Sequence, residues 1–81
     1  MSENNQRLMA LIARVLNVDV AILKDDTTPD DIDSWDSFNG LMMVSELESE
    51  FSISFSIEEV YAVQCIGDIR EALTRHNVDF S

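Results

Sequence analysis

Two serines stand three positions apart in Asp33-Ser34-Trp35-Asp36-Ser37-Phe38, each preceded by an aspartate. The residues that follow, from Ser37 to about Glu50, have helical spacing, so Ser37 falls at a helix start that Asp36 or Ser37 itself can cap. A serine in that place meets backbone N–H groups without helical partners and the positive end of the helix dipole. A phosphodiester on its hydroxyl would have its negative charge stabilised there. The same residues also fit a plain helix cap with no further role. The other reactive groups assemble into nothing catalytic. His76 is the single histidine and lies near the chain end, where it is expected to interact with a helix C-terminus. No nucleophile, base and orienting acid can be drawn from these spacings, so no catalytic residues and no enzyme are expected. Cys65 is the only cysteine, which excludes an internal disulfide and a cysteine-built zinc cluster. The Asp-rich stretch around Asp25, Asp26, Asp30, Asp31 and Asp33 contains Pro29 and lacks the central Gly and terminal Glu of a calcium loop, so no metal is expected.

The elements that must position Ser37 follow from apolar spacing. Leu8, Leu11, Ile12, Val15 and Leu16 predict a first helix over Arg7 to Leu16, ended by Asn17. Val18 to Trp35 reads as a long loop, with Val20, Ile22, Leu23, Ile32 and Trp35 expected to pin it to the core. Thr28-Pro29 suits a short turn with Thr as cap and Pro as first residue. The second helix, Ser37 to Glu50, presents Gly40, Met43, Val44, Leu47 and Phe51 on one arc, so it is central and amphipathic. Ile53 to Ile57 alternates like a strand but has no convincing partner strand, and is taken as an extended connector. A short helix over Ile57 to Val63 and a last one over Gly67 to His76, with Ile66, Ile69, Ala72 and Leu73 inward, complete the reading. The fold class is all-α: a small bundle of three longer helices and one short one.

Eighty-one residues make a single domain, residues 1–81, with about 5–76 as its ordered core. At 46% hydrophobic and 26% charged residues the chain is globular. No apolar run approaches the ~20 residues of a membrane span, and the polar start has no signal-peptide character, so a cytoplasmic protein is expected. The net charge of −11 is concentrated: residues 25 to 69 hold twelve Asp or Glu and no Lys or Arg. That middle is either a solvated acidic surface or a docking face for basic partners, and it argues against nucleic acid.

Asp36-Ser37-Phe38 followed by Leu47-Glu48-Ser49-Glu50-Phe51 resembles the acyl carrier protein signature, an Asp-Ser-Leu (or Met) and then a helix ending in a Leu-Glu-x-Glu-Phe-like run. Val18-Asp19 and Ser34-Trp35-Asp36 upstream, and Ile53 to Glu59 and Ile66-Gly67-Asp68-Ile69 downstream, also fit. The likeness spans roughly residues 5 to 76. In that family the modified serine precedes the Leu of the run by ten positions; Ser37 stands ten before Leu47 and Ser34 thirteen, so the register favours Ser37.

The resemblance implies that a phosphopantetheinyl transferase attaches 4'-phosphopantetheine from coenzyme A to Ser37. Asp36 then helps position magnesium in the transferase complex. The arm's thiol, not Cys65, carries an acyl or aminoacyl group as a thioester to loading and transferring enzymes with basic docking patches, as in fatty acid or polyketide metabolism. The chain itself is then a monomeric carrier. Acidity favours acyl cargo; an aminoacyl, peptidyl or D-alanyl carrier, and an unmodified acidic helical interaction module, stay open. Departures from the signature mark a partner face. Phe38 stands where Leu or Met is usual, and is expected to pack beneath the long loop, with the partner face as its other reading. Met42 replaces a frequent acid and reads as an apolar partner contact framed by Glu46 and Glu48. Glu58, Glu59 and Asp68 either extend an acidic docking face or are solvated first-turn acids. Cys65 replaces a usual Thr before the last helix and is a poorer cap.

Overall fold

A computed structural model of the chain describes residues 3–80. Four helices form the all-α bundle: α1 (Glu3–Leu16), α2 (Ser37–Phe51), α3 (Ile57–Ala62) and α4 (Ile66–Arg75), with a 3₁₀ turn at Val20–Ile22 and no strand among the described residues. Leu8, Leu11, Ile12 and Leu16 bring α1 into the core, and Met43 and Leu47 bring in α2. Ile66, Ile69, Ala72 and Leu73, the four residues expected to face inward, do so from α4. The 3.6-residue period of these positions is what folds the chain this way. Helix α1 begins four residues before the predicted start, because Asn4, Asn5 and Gln6 carry no apolar period to reveal it. Its first turn is instead fixed by polar contacts: Asn4 donates to the Asp79 carbonyl at 2.8 Å and Asn5 accepts from Arg70.

The three long helices end alike. Asn17, Ser52 and Asn77 each adopt a left-handed conformation, with φ of 56°, 55° and 70°. The next residue, Val18, Ile53 or Val78, returns its N–H to a carbonyl of the last helical turn: Ala13, Glu48 and Leu73, at 3.0, 3.1 and 3.0 Å. The same three apolar side chains pack against the core. This is the αL stop with a hydrophobic clasp, made here without glycine and twice with asparagine, the residue that bears positive φ best after glycine.

The long loop is pinned by Leu23, Thr27, Ile32 and Trp35, all buried. Val20 and Ile22, expected to share that work, are half exposed at 49% and 53%. Their 3₁₀ turn satisfies its hydrogen bonds locally, through Asp19 to the Ala21 N–H, and needs no core contact to form. At Thr28-Pro29 a turn is present, closed by the Asp31 N–H donating to the Thr28 carbonyl at 2.9 Å, but the Thr28 side chain is not its cap: the Thr28 N–H and hydroxyl donate to the Asp31 carboxylate at 3.0 and 3.3 Å.

The loop also supplies what Cys65 cannot. Cys65 makes no side-chain cap on α4, and the first N–H groups of that helix bond to loop carbonyls: Ile66 to Thr27 at 3.1 Å and Gly67 to Asp25 at 2.8 Å. A Cβ on Gly67 would stand 3.1 Å from the same Asp25 oxygen, so glycine permits the close approach. Arg70 adds an ion pair to Asp25 at 2.8 Å and lies over the Phe80 ring. Of the four α-helices, α3 alone has no buried side chain. The connector before it, residues 53–56, is in neither helix nor strand.

Candidate functional site

Ser37 is the first residue of α2 and is exposed. Asp36 is the cap: its backbone is extended and its Oδ1 accepts from the Asn39 N–H at 2.9 Å. Asn39 in turn donates from Nδ2 to the Ser34 carbonyl at 2.8 Å, tying the approach strand of chain to the first helical turn. Trp35 lies behind, buried at 8% exposure. These contacts fix where α2 starts and leave the Ser37 hydroxyl outside.

The two serines are in opposite situations. Ser34 donates its hydroxyl to the Leu16 carbonyl at 2.6 Å, one of the carbonyls that α1 leaves without a helical partner. The Ser34 oxygen is thus a rivet between the loop and the end of α1, whereas Ser37 faces solvent. The sequence offered only register to separate them.

A cleft of about 380 Å³ opens between α2, α3 and α4 beside Ser37. Trp35, Val44, Leu47, Phe55, Val63 and Ile69 line it, and Ser37, Leu41 and Tyr61 belong to its wall. Leu41 and Tyr61 are 65% and 80% exposed, which places them at its mouth. The lining is mostly apolar, with Ser37 and Glu59 among its polar members.

The residues expected on a partner face are distributed differently from one another. Phe38 does not pack beneath the loop: it is 71% exposed, because Trp35 and Ile32 already fill the space under that segment. Met42 is 44% exposed, and the stripe of Phe38, Met42, Ser45 and Ser49 faces outward. Glu46 pairs with Arg14 of α1 at 3.2 Å, and Glu48 accepts from the Phe55 N–H at 2.8 Å. Glu58 is exposed. Asp68 reaches back to the Gln64 N–H at 2.9 Å, a first-turn acid closing its own helix start. Leu41 was missed, although its place three residues after Phe38 extends the same stripe.

Glu59 is engaged internally. It closes a capping box with Ser56, accepts from His76 Nε2 at 3.0 Å and lies 3.8 Å from Arg75. His76 does sit at a helix C-terminus, as the C-cap of α4 with its N–H on the Leu73 and Thr74 carbonyls, while its side chain meets an acid of α3 and stands T-shaped to the Phe55 ring at 5.5 Å. The Ser56 N–H and the His76 ring hold the Glu59 carboxyl down at about 2. With its folded value depressed, Glu59 stabilises the fold fully above 4.5, and this contribution is lost as pH falls toward 2. Glu59→Gln keeps the capping-box geometry but loses the charge. The variant is expected to melt below wild type at about pH 7, with the gap closing as the pH is lowered through that window. Thermal melts of both proteins across that range check this; a gap independent of pH would refute it.

Among the described residues no three His, Cys, Asp or Glu side chains converge as metal ligands, and no helix is long and apolar enough to cross a membrane.

Among solved structures the fold is shared with a Mycobacterium tuberculosis protein assigned as an acyl carrier protein. The TM-score is 0.79 at 24% identity, covering 88% of this chain and 95% of that one. It is shared also with the holo acyl carrier protein of Geobacter metallireducens, at TM-score 0.74 and 26% identity, covering 89% and 87%. The family model described as a phosphopantetheine attachment site matches residues 6–73. The residues present fit such a group: an exposed serine hydroxyl at a helix N-terminus, where a phosphodiester is favoured, beside an apolar cleft. The chain therefore belongs to the phosphopantetheine-attachment family of carrier proteins, with a covalently bound phosphopantetheine as its cofactor.

Proposed function

We propose that this chain is a single-domain, non-catalytic acyl carrier that bears its arm on Ser37. The observation that carries the reading is the exposed Ser37 hydroxyl standing at the rim of an apolar cleft, with the competing Ser34 hydroxyl committed to Leu16. The bound arm ends in a thiol, which holds cargo as a thioester. In the transferase, Ser37 Oγ would form the new O–P bond to the phosphopantetheine phosphate as the pyrophosphate bond of coenzyme A breaks, with adenosine 3',5'-bisphosphate leaving and the serine proton released. Asp36, adjacent and exposed, would help hold a magnesium ion there. The walls formed by Val44, Leu47, Phe55 and Val63 offer an acyl chain shelter from water, and hence from premature hydrolysis of its thioester. Loading and transferring enzymes supply the chemistry, in a cytoplasmic setting and with the carrier as a monomer.

The cleft favours acyl over aminoacyl cargo, because a charged ammonium has no carboxylate partner in it other than Glu59, which His76 already holds. An aminoacyl carrier, D-alanyl or peptidyl, would leave the cleft unused. The test is to load Ser37 with octanoyl- or alanyl-phosphopantetheine and melt both against the holo form. Burial of several methylenes is expected to raise the octanoyl form's Tm by ~4–8 °C for each net kcal/mol gained, while the alanyl form matches holo. Equal melting temperatures for the two loaded forms would rule out the sheltering role of the cleft.

A further inference from the structure

The cleft beside Ser37 is walled mostly by hydrocarbon, yet one wall holds a hydrogen-bond donor with no acceptor. Trp35, the chain's single tryptophan, lines the cleft and is 8% exposed. Its indole Nε1–H, a group that can only donate, is bonded to nothing among the described residues. Among those residues Arg70 Nε is the one side-chain nitrogen or oxygen sealed from solvent without a partner, so Trp35 Nε1 is still reachable. With so little of the residue exposed and its side chain in the cleft wall, the reach is through the cleft. Buried indole N–H groups ordinarily find an acceptor, and leaving one unpaired behind an apolar guest is unfavourable.

The residue beside that donor is Gly40, one turn into α2. Only proline is a poorer choice than glycine inside a helix. Nothing in the fold asks for it here. Its φ is not positive, and a Cβ added to it would stand at ordinary contact distance, 3.8 Å from Trp35 Nε1 and 4.0 Å from Cδ1. A methyl group would therefore fit without strain, and the group it would crowd is the indole N–H. Glycine leaves that edge of the ring open to the cleft, which Gly40 also lines. Ser37 stands three residues earlier on the same helix and in the same cleft wall, so a chain tethered to it is delivered to this edge.

Resting on the carrier reading above, we infer that the Trp35 indole N–H, kept open by Gly40, is the cleft's recognition point for a carbonyl oxygen of the thioester-borne cargo. That oxygen is the thioester carbonyl or a keto oxygen further along the acyl chain; both present the same neutral acceptor. The apolar walls take the chain by its area, and the one bond to Nε1 fixes how far it slides in. A tail with no oxygen in reach leaves the donor unpaired, so the cleft discriminates among cargoes as well as sheltering them.

The probe is the indole signal of Trp35 in a proton–nitrogen correlation spectrum, the single one of its kind in this chain. A transferase loads the protein from coenzyme A or its derivatives to give the holo, octanoyl, 3-oxooctanoyl and octyl thioether forms; the last has the tail but no carbonyl on it. If the thioester carbonyl is the acceptor, both acyl forms are expected to move the indole proton downfield; if the keto oxygen is, only the 3-oxooctanoyl form does. Exchange of that proton with water is expected to slow by roughly two- to tenfold, the worth of one neutral hydrogen bond. The holo and octyl thioether forms are expected to show neither change. Gly40→Ala is expected to melt at or above wild type, as alanine favours the helix, and to lose both responses. Trp35→Phe keeps most of the ring and removes the donor. In wild type the responding acyl form is expected to melt above the octyl thioether form, and in Trp35→Phe level with it. No downfield shift in either acyl form would overturn the inference. So would an equal shift in the octyl thioether form, a full shift already present in the holo form, or a full shift retained in Gly40→Ala. Each of these results leaves the carrier reading intact, whereas failure of every transferase tried to load wild type would strike that reading itself.

Discussion

Trp35→Ala is expected to destabilise the protein by about 3–5 kcal/mol, the cost of deleting a large aromatic from a packed interior. Trp35 is 8% exposed, belongs to the core and walls the cleft behind Ser37. A domain of this length has only ~4–12 kcal/mol of total stability, so the variant would be largely unfolded or close to it at 37 °C. The loss has a functional side as well. Trp35 immediately precedes the Asp36 cap, and Gly40 one turn into α2 lies beside its indole, at 3.8 Å from Nε1 to an added Cβ. Removing the ring therefore loosens the start of the helix on which Ser37 stands. Trp35→Phe fills most of the volume and is expected to recover more than half of the loss. Urea unfolding followed by circular dichroism checks both variants; a change under about 1 kcal/mol for Trp35→Ala would mean that the loop is not anchored by this residue.

How much of this was legible beforehand depended on the kind of signal. The long helices announced themselves because Leu8, Leu11, Ile12 and Leu16, or Ile66, Ile69 and Leu73, repeat at helical spacing. A buried face must do so, and these residues are buried. The start of α1 left no such trace, since its first turn is held by amide side chains reaching Asp79 and Arg70 across the sequence. The loop was half readable. Leu23, Ile32 and Trp35 anchor it as expected, but nothing local separates them from Val20 and Ile22, which a short self-sufficient turn leaves outside.

The site shows the same division. The position of Ser37 at a helix start followed from spacing and capping chemistry alone. The state of its rival did not, because the bond from Ser34 to Leu16 joins residues eighteen apart, across the long loop. The intramolecular partners of the acids were equally hidden. A count of carboxylates gives Glu46, Glu48 and Glu59 the look of a docking face, yet Arg14, the Phe55 N–H and His76 lie opposite them once the helices pack. Phe38 misled in the other direction, since an aromatic of its size is usually sheltered and here is not.

Attachment of the arm to Ser37 is read from the intact mass of the chain after incubation with coenzyme A, magnesium and a broad-specificity phosphopantetheinyl transferase. Wild type and Ser34→Ala are expected to gain one phosphopantetheine, and Ser37→Ala none. The loss should be complete, because the attacking oxygen itself is gone and Ser34 Oγ is held against the Leu16 carbonyl. Ser34→Ala is expected to stay modifiable while losing roughly 1 kcal/mol of stability with that hydrogen bond. Addition to Ser37→Ala, or its loss in Ser34→Ala alone, would refute attachment at Ser37.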